Sequence, residues 1–177
     1  AVCSNEYIFI GTPLGVYMFR PDTGEKKHLT REKGIISNHV TSLDYSVTQN
    51  VLVVGTSSGI SLYSPVEDRV VSLTMADGLF NNEVMNVYVD DISRQLFVSL
   101  FGGRVSVTEL DGLNPPGFDT YQTGGGSIRL VSSVCVSDFN RDPAGRIWHG
   151  TNASGVYIHY PSHEWDSFPE ALKGLWV

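Results

Sequence analysis

The sequence predicts an all-β chain of about four β-propeller blades, each of four antiparallel strands and together part of a larger propeller. Two observations predict it. Two separate motifs repeat with the same period of 44 residues, and each period holds four short strand-like runs bounded by turn residues.

The first motif reads Gly11-Thr12-Pro13-Leu14-Gly15-Val16-Tyr17 and returns as Gly55-Thr56-Ser57-Ser58-Gly59-Ile60-Ser61-Leu62-Tyr63. A degenerate third copy runs Val98-Ser99-Leu100-Phe101-Gly102-Gly103-Arg104-Val105, with Ser99 where glycine is expected, and a fourth runs from Gly150 to Ile158. The second motif, Gly34-Ile35-Ile36-Ser37-Asn38-His39-Val40, matches Gly78-Leu79-Phe80-Asn81-Asn82-Glu83-Val84. Four strands in 40–50 residues is the period of a propeller blade. No helical stripe exceeds two turns.

The strands are lettered A to D from the propeller axis outward. Blade two, about 34–77, holds Val40–Tyr45, Val51–Thr56, Ile60–Tyr63 and Val70–Thr74; the run Val51-Leu52-Val53-Val54 is rich in β-branched residues between Asn50 and Gly55. Blade three, about 78–126, holds Val84–Val89, Gln95–Leu100, Val105–Leu110 and roughly Gly117–Tyr121. Blade four, about 127–170, holds Val134–Phe139, Arg146–Gly150, Gly155–Tyr160 and Glu164–Phe168, with Asp142-Pro143-Ala144-Gly145 as its A–B turn. Blade one, about 1–33, has B (Tyr7–Ile10), C (Val16–Phe19) and D (Lys26–Leu29), but at most a stub of A. Residues 171–177 are expected to begin a further strand. The arc is read as an excerpt of a larger ring. The alternatives are a four-bladed ring closed by Leu172–Val177 pairing with blade one, or an arc completed by another chain.

The 177 residues suffice for one domain with a core, and 41% are hydrophobic. A formal charge of −7, from 19 acidic and 12 basic residues, argues against nucleic acid or an anionic membrane surface as the main partner. No run approaches the roughly 20 apolar residues that span a bilayer. The two cysteines, Cys3 and Cys135, read as reduced, small apolar residues; a disulfide between them stays open, and with it the redox compartment.

With the entry motif at Gly34–Val40, the stretch Asp142-Pro143-Ala144-Gly145-Arg146-Ile147-Trp148 and the Gly-Thr hairpins, the whole chain resembles the two-component regulator propeller repeat. That resemblance implies a sensor propeller outside the cytoplasm, periplasmic or extracellular. Such a propeller would recognise a carbohydrate or another nutrient and signal through separate kinase domains. It departs from the pattern at Ser99 and in the missing first strand of blade one, and the fold itself does not dictate that role.

No constellation for catalysis emerges, so the chain is read as a non-enzyme without cofactor or metal. His149, His159 and His163 lack a carboxylate partner at a diagnostic spacing and read as packing residues. Asp90 and Asp91 are adjacent on a strand, point to opposite faces and read as a solvated A–B turn. Gly124-Gly125-Gly126 lacks the Lys-Ser/Thr ending of a phosphate loop and reads as a connection. Of the tryptophans, Trp148 is expected in the core and Trp165 is better placed to be partly exposed; sugar stacking by Trp148, Trp165 or Trp176 is the lesser reading.

Topology narrows the binding face. Strands alternate in direction, so D–A and B–C connections gather at one face of every blade. The ligand candidates there are His39, Glu83, Arg129, Asn38, Asn82, Phe101 and Asn152. For Asn38 and Asn82 a turn-making role competes with ligand binding. Partners are a small molecule or protein at that face and further propeller blades. Three functions are weighed: a recognition or sensor module, an interaction platform in a large assembly, and, weakest, a propeller lyase or hydrolase.

Overall fold

Short β-branched runs separated by tight turns pair with their sequence neighbours, and the computed structural model shows this four times over. It describes residues 1–114, 117–122, 136–151, 156–159 and 165–167. Blade one comprises β1 (Val2–Cys3), β2 (Ile8–Thr12), β3 (Gly15–Phe19) and β4 (Lys26–Leu29). Blade two comprises β5 (Val40–Ser46), β6 (Val51–Thr56), β7 (Gly59–Ser64) and β8 (Arg69–Leu73). Blade three comprises β9 (Val84–Asp90), β10 (Gln95–Leu100), β11 (Arg104–Glu109) and β12 (Asp119–Gln122), and blade four β13 (Val136–Arg141), β14 (Ile147–Thr151), β15 (Val156–His159) and β16 (Trp165–Ser167). Each blade is an antiparallel meander in chain order. The chain is thus an arc of a larger β-propeller.

Alternation along the strands decides which neighbour each residue meets. In β6, Leu52 and Val54 pack with Phe9, Val16 and Met18 of blade one, whereas Val51 and Val53 pack with Val84, Leu96 and Val98 of blade three. Phe97, Val105 and Val107 continue the core to Phe139 and Ile147 of blade four. The core is therefore a set of seams between blades.

Gly55 shows why the hairpin motif opens on glycine. A Cβ there would lie 2.9 Å from Val84 Cγ1, so the next blade's inner strand nests against bare backbone. Blade three carries the buried Ser99 at this position.

All three complete inner strands carry a β-bulge at the same place, between Val40 and Ser42, opposite Ser99/Leu100 at Val84–Asn86, and between Val136 and Asp138. The inner strands are also hydrogen-bonded blade to blade: Ser42 Oγ donates to Asn86 Oδ1 (2.6 Å), and Val89 N–H donates to Asp44 (2.6 Å).

Two expectations need correction. Asp90 and Asp91 are not a solvated turn. Asp90 is buried and ion-paired with Arg141 of blade four, while Asp91 reaches back to blade two, accepting from Ser46 Oγ, Val47 N–H (2.8 Å) and Thr48 Oγ1 (2.9 Å). Both carboxylates fasten one blade to the next. Trp148 is not core: in β14 it is half-buried, and its indole N–H donates to Asp142 (2.9 Å). The alternation gives the seam with blade three to its neighbour His149, fully buried and edge-on to Phe139 at 4.7 Å.

Blade one's inner strand is the stub β1, and Cys3 on it is exposed. Cys135, His163, Gly124–Gly126, Trp176 and Leu172–Val177 lie outside the described residues, as do the side chains of His159 and Trp165.

Candidate functional site

The two described D–A connections share one construction. In each, a single 3-10 turn (Arg31–Lys33, Met75–Asp77) ends at a glycine with φ 103°, and the next residue, Ile35 or Leu79, plugs the core. Asn38 Oδ1 then accepts from Arg31 N–H and Asn82 Oδ1 from Met75 N–H, both at 2.7 Å. Ser37 Oγ accepts from His39 N–H (3.2 Å), and Asn81 Oδ1 from Glu83 N–H (3.1 Å). The carbonyls of His39 and Glu83 in turn receive the N–H groups of Ser57 and Phe101 in the B–C turns.

Asn38 and Asn82 thus spend an acceptor on closing the loop, as the turn-making alternative anticipates. Replacing Asn82 by alanine leaves the Met75 N–H without that partner and is expected to cost about 1 kcal/mol. Thermal unfolding of Asn82→Ala against Asn82→Asp, which keeps the acceptor, checks this; equal losses would contradict it.

What the motif leaves free are its variable positions. His39 and Glu83 are exposed, and so is Phe101, at 48% of its surface. Beside them, unforeseen in the sequence, the Arg104 guanidinium lies 3.9 Å over the half-exposed Phe80 ring. The signal for that pair was Phe80 occupying a variable position of the entry motif. The face therefore presents aromatic, cationic and anionic groups on fixed backbone. Arg129 and Asn152 lie outside the described residues.

The opposite face, carrying A–B and C–D connections, holds a cleft of about 440 Å³ between blades one and two. Its walls include Ser4, Glu6, Arg20, Tyr45 and Val47. Arg20 stacks over Tyr7 at 4.4 Å and pairs with Glu6 at 2.6 Å. Sequence reasoning missed this cleft. On blade four's turn of the same face, Asp142 is held down to about 2, first by the Trp148 N–H and then by the backbone and side chain of Arg146. Among the described residues no three His, Cys, Asp or Glu side chains gather to hold a metal ion.

No protein-family model matches the chain, and no curated protein does. Solved structures do match. The extracellular domain of the hybrid two component system BT4673 from B. thetaiotaomicron superposes with a TM-score of 0.72 at 16% identity, covering 94% of this chain and 21% of that one. PorZ, a surface component of the type-IX secretion system of Porphyromonas gingivalis, gives 0.68 at 17% identity, over 96% of this chain and 22% of its own. The β-propeller domain of Cps50 (Swd1) from Myceliophteria thermophila gives 0.66 at 12% identity, over 93% and 57%. At these identities the likeness establishes the propeller fold. The chain spans about a fifth of the length of the first two.

Proposed function

We propose that this arc belongs to a non-catalytic recognition or sensor propeller, acting outside the cytoplasm, that binds its ligand at the face of D–A and B–C connections. The observation that carries this reading is the exposure of His39, Glu83 and Phe101 on loops whose backbone is fixed by Asn38, Asn82, Ser37 and Asn81. Fixed loops with variable side chains bind without a large ordering cost. The extracellular domain of the hybrid two component system BT4673 shares the fold, which supports a sensing role here. A carbohydrate or another nutrient is the ligand this reading expects.

A second reading, a protein-interaction platform, is favoured by the exposed aromatic surface of Phe101 and the Phe80–Arg104 pair, residue types enriched at protein interfaces. The secretion component PorZ shares this fold too.

The test is a binding screen on an oligosaccharide array, followed by His39→Ala/Glu83→Ala/Arg129→Ala. The triple variant is expected to bind at least tenfold more weakly. Its Tm should change by no more than about 6 °C, because surface substitutions away from packed features contribute within roughly 0.5 kcal/mol each. A ligand whose footprint lies wholly on the A–B and C–D connections would refute the face. Turnover of an array sugar, lost on a single loop substitution, would refute the non-catalytic reading.

A further inference from the structure

The seams join their A–B turns in different ways. Between blades three and four Arg141 meets Asp90 while Asp142 bonds within its own turn, and among the described residues only between blades two and three does a carboxylate sit on the neighbouring turn. Where blades two and three meet, Asp91 sits on the A–B turn of blade two, its carboxylate received by Ser46 Oγ, Val47 N–H and Thr48 Oγ1. The register carries this plan to the seam between blades one and two. Cys3 pairs with Ile8 as Tyr45 pairs with Leu52, which places Ser4 in the role of Ser46. The turn of blade one is two residues shorter, but it keeps the serine bond: Ser4 Oγ accepts from Tyr7 N–H at 2.8 Å, as Ser46 Oγ accepts from Gln49 N–H at 3.0 Å.

The residue that should complete this seam, 44 positions before Asp91, is Val47. Valine cannot accept a hydrogen bond. The Ser4 hydroxyl turns instead to the Tyr7 carbonyl, at 3.4 Å, and to the Tyr45 hydroxyl, and here the cleft opens, lined by Ser4, Asn5, Glu6, Arg20 and Val47.

We infer that this cleft is a binding site for the carboxylate of a small organic acid, seated where Asp91 sits one seam further on. The receiving groups are the Ser4 hydroxyl and the Asn5 N–H, equivalents of Ser46 and Val47, together with the Arg20 guanidinium. Arg20 Nε is buried and makes no hydrogen bond. Arg20 is held by Glu6 at 2.6 Å and by Glu25 at 3.5 Å, so an acid must displace one of these carboxylates, which are 64% and 53% exposed. Asp91 itself is held close to Asp44 and Asp90 by neutral donors alone. The cleft adds a cation that the Asp91 seat lacks. This site lies on the face opposite His39 and Glu83 and stands or falls apart from the loop-face reading.

The probe is N-acetylglycine, with the neutral N-acetylglycinamide as control, titrated into the ¹⁵N-labelled chain. The acid is expected to shift the amide resonances of Ser4, Asn5 and Glu6 saturably, and the amide at least tenfold more weakly. Val47→Asp supplies the carboxylate from within, so its Tm should rise and the response to the acid should vanish. Arg20→Gln keeps the cleft and should weaken the acid at least fivefold. An equal response to acid and amide, shifts confined to other residues, or a Val47→Asp chain that still answers to the acid would overturn the assignment.

Discussion

Gly59→Ala is expected to destabilise the chain by about 3 kcal/mol, the sum of two separate costs. The glycine opens β7 directly after the two-residue B–C turn of blade two, at φ +131°, a conformation that residues with a Cβ rarely adopt. An added methyl would also lie 2.5 Å from the Leu73 carbonyl oxygen, on the strand that completes the blade. Relief by moving Leu73 would pull a fully packed residue out of the seam with blade three. Gly24→Ala separates the two costs. Its φ is +73° with nothing within 4 Å of the new carbon, so it bears the backbone cost alone, about 1 kcal/mol. Denaturant midpoints of the two variants make the check. Equal losses would mean that the contact with Leu73 costs nothing.

The second large effect is at Asp90. Removing its carboxylate in Asp90→Ala strands the Arg141 guanidinium in the seam between blades three and four, at an expected cost of about 3 kcal/mol. The Ser93 hydroxyl and the Ile92 N–H lose their acceptor as well. Removing both charges in Asp90→Ala/Arg141→Met should recover at least about 1 kcal/mol of that loss, since the unpaired, partly buried Arg141 charge is its main source. A double variant no more stable than the single one would assign the loss to the turn instead.

The strands were legible because each signal is local. The runs Val51–Thr56, Gln95–Leu100 and Lys26–Leu29 end where the sequence predicts, at turn residues that interrupt pairing. The inner strands run further than expected, to Ser46 and Asp90, because a polar side chain there both completes the ladder and caps the turn. The bulges were invisible, since an unpaired residue such as Thr41 looks like any other residue of a strand. Asp90 and Asp91 were misread for a different reason. Their partners lie 51 and 43 to 45 residues away, and adjacency in sequence says nothing of a neighbour one blade over. At the candidate face, the entry motif placed His39 and Glu83 correctly on one rim, while the Phe80–Arg104 stack joins residues from two connections and needs coordinates. The cleft had no signal in the sequence, where Val47 standing 44 residues before Asp91 reads as one more substitution between repeats until the seam contact of Asp91 is seen.

The same alternation that fills the inner seams leaves unlike surfaces at the two ends of the arc. Ile10 and Tyr17 of blade one are 44% and 42% exposed, whereas Val54 and Ser61, their counterparts in blade two, are fully covered. At the other end, Trp148 lies half-buried on the outer flank of blade four. In a propeller each blade packs one flank against the opposite flank of the next, so the further blades of the ring meet these two ends head to tail around one axis. Polarity of assembly is thus already encoded in which of two adjacent residues on a strand is greasy.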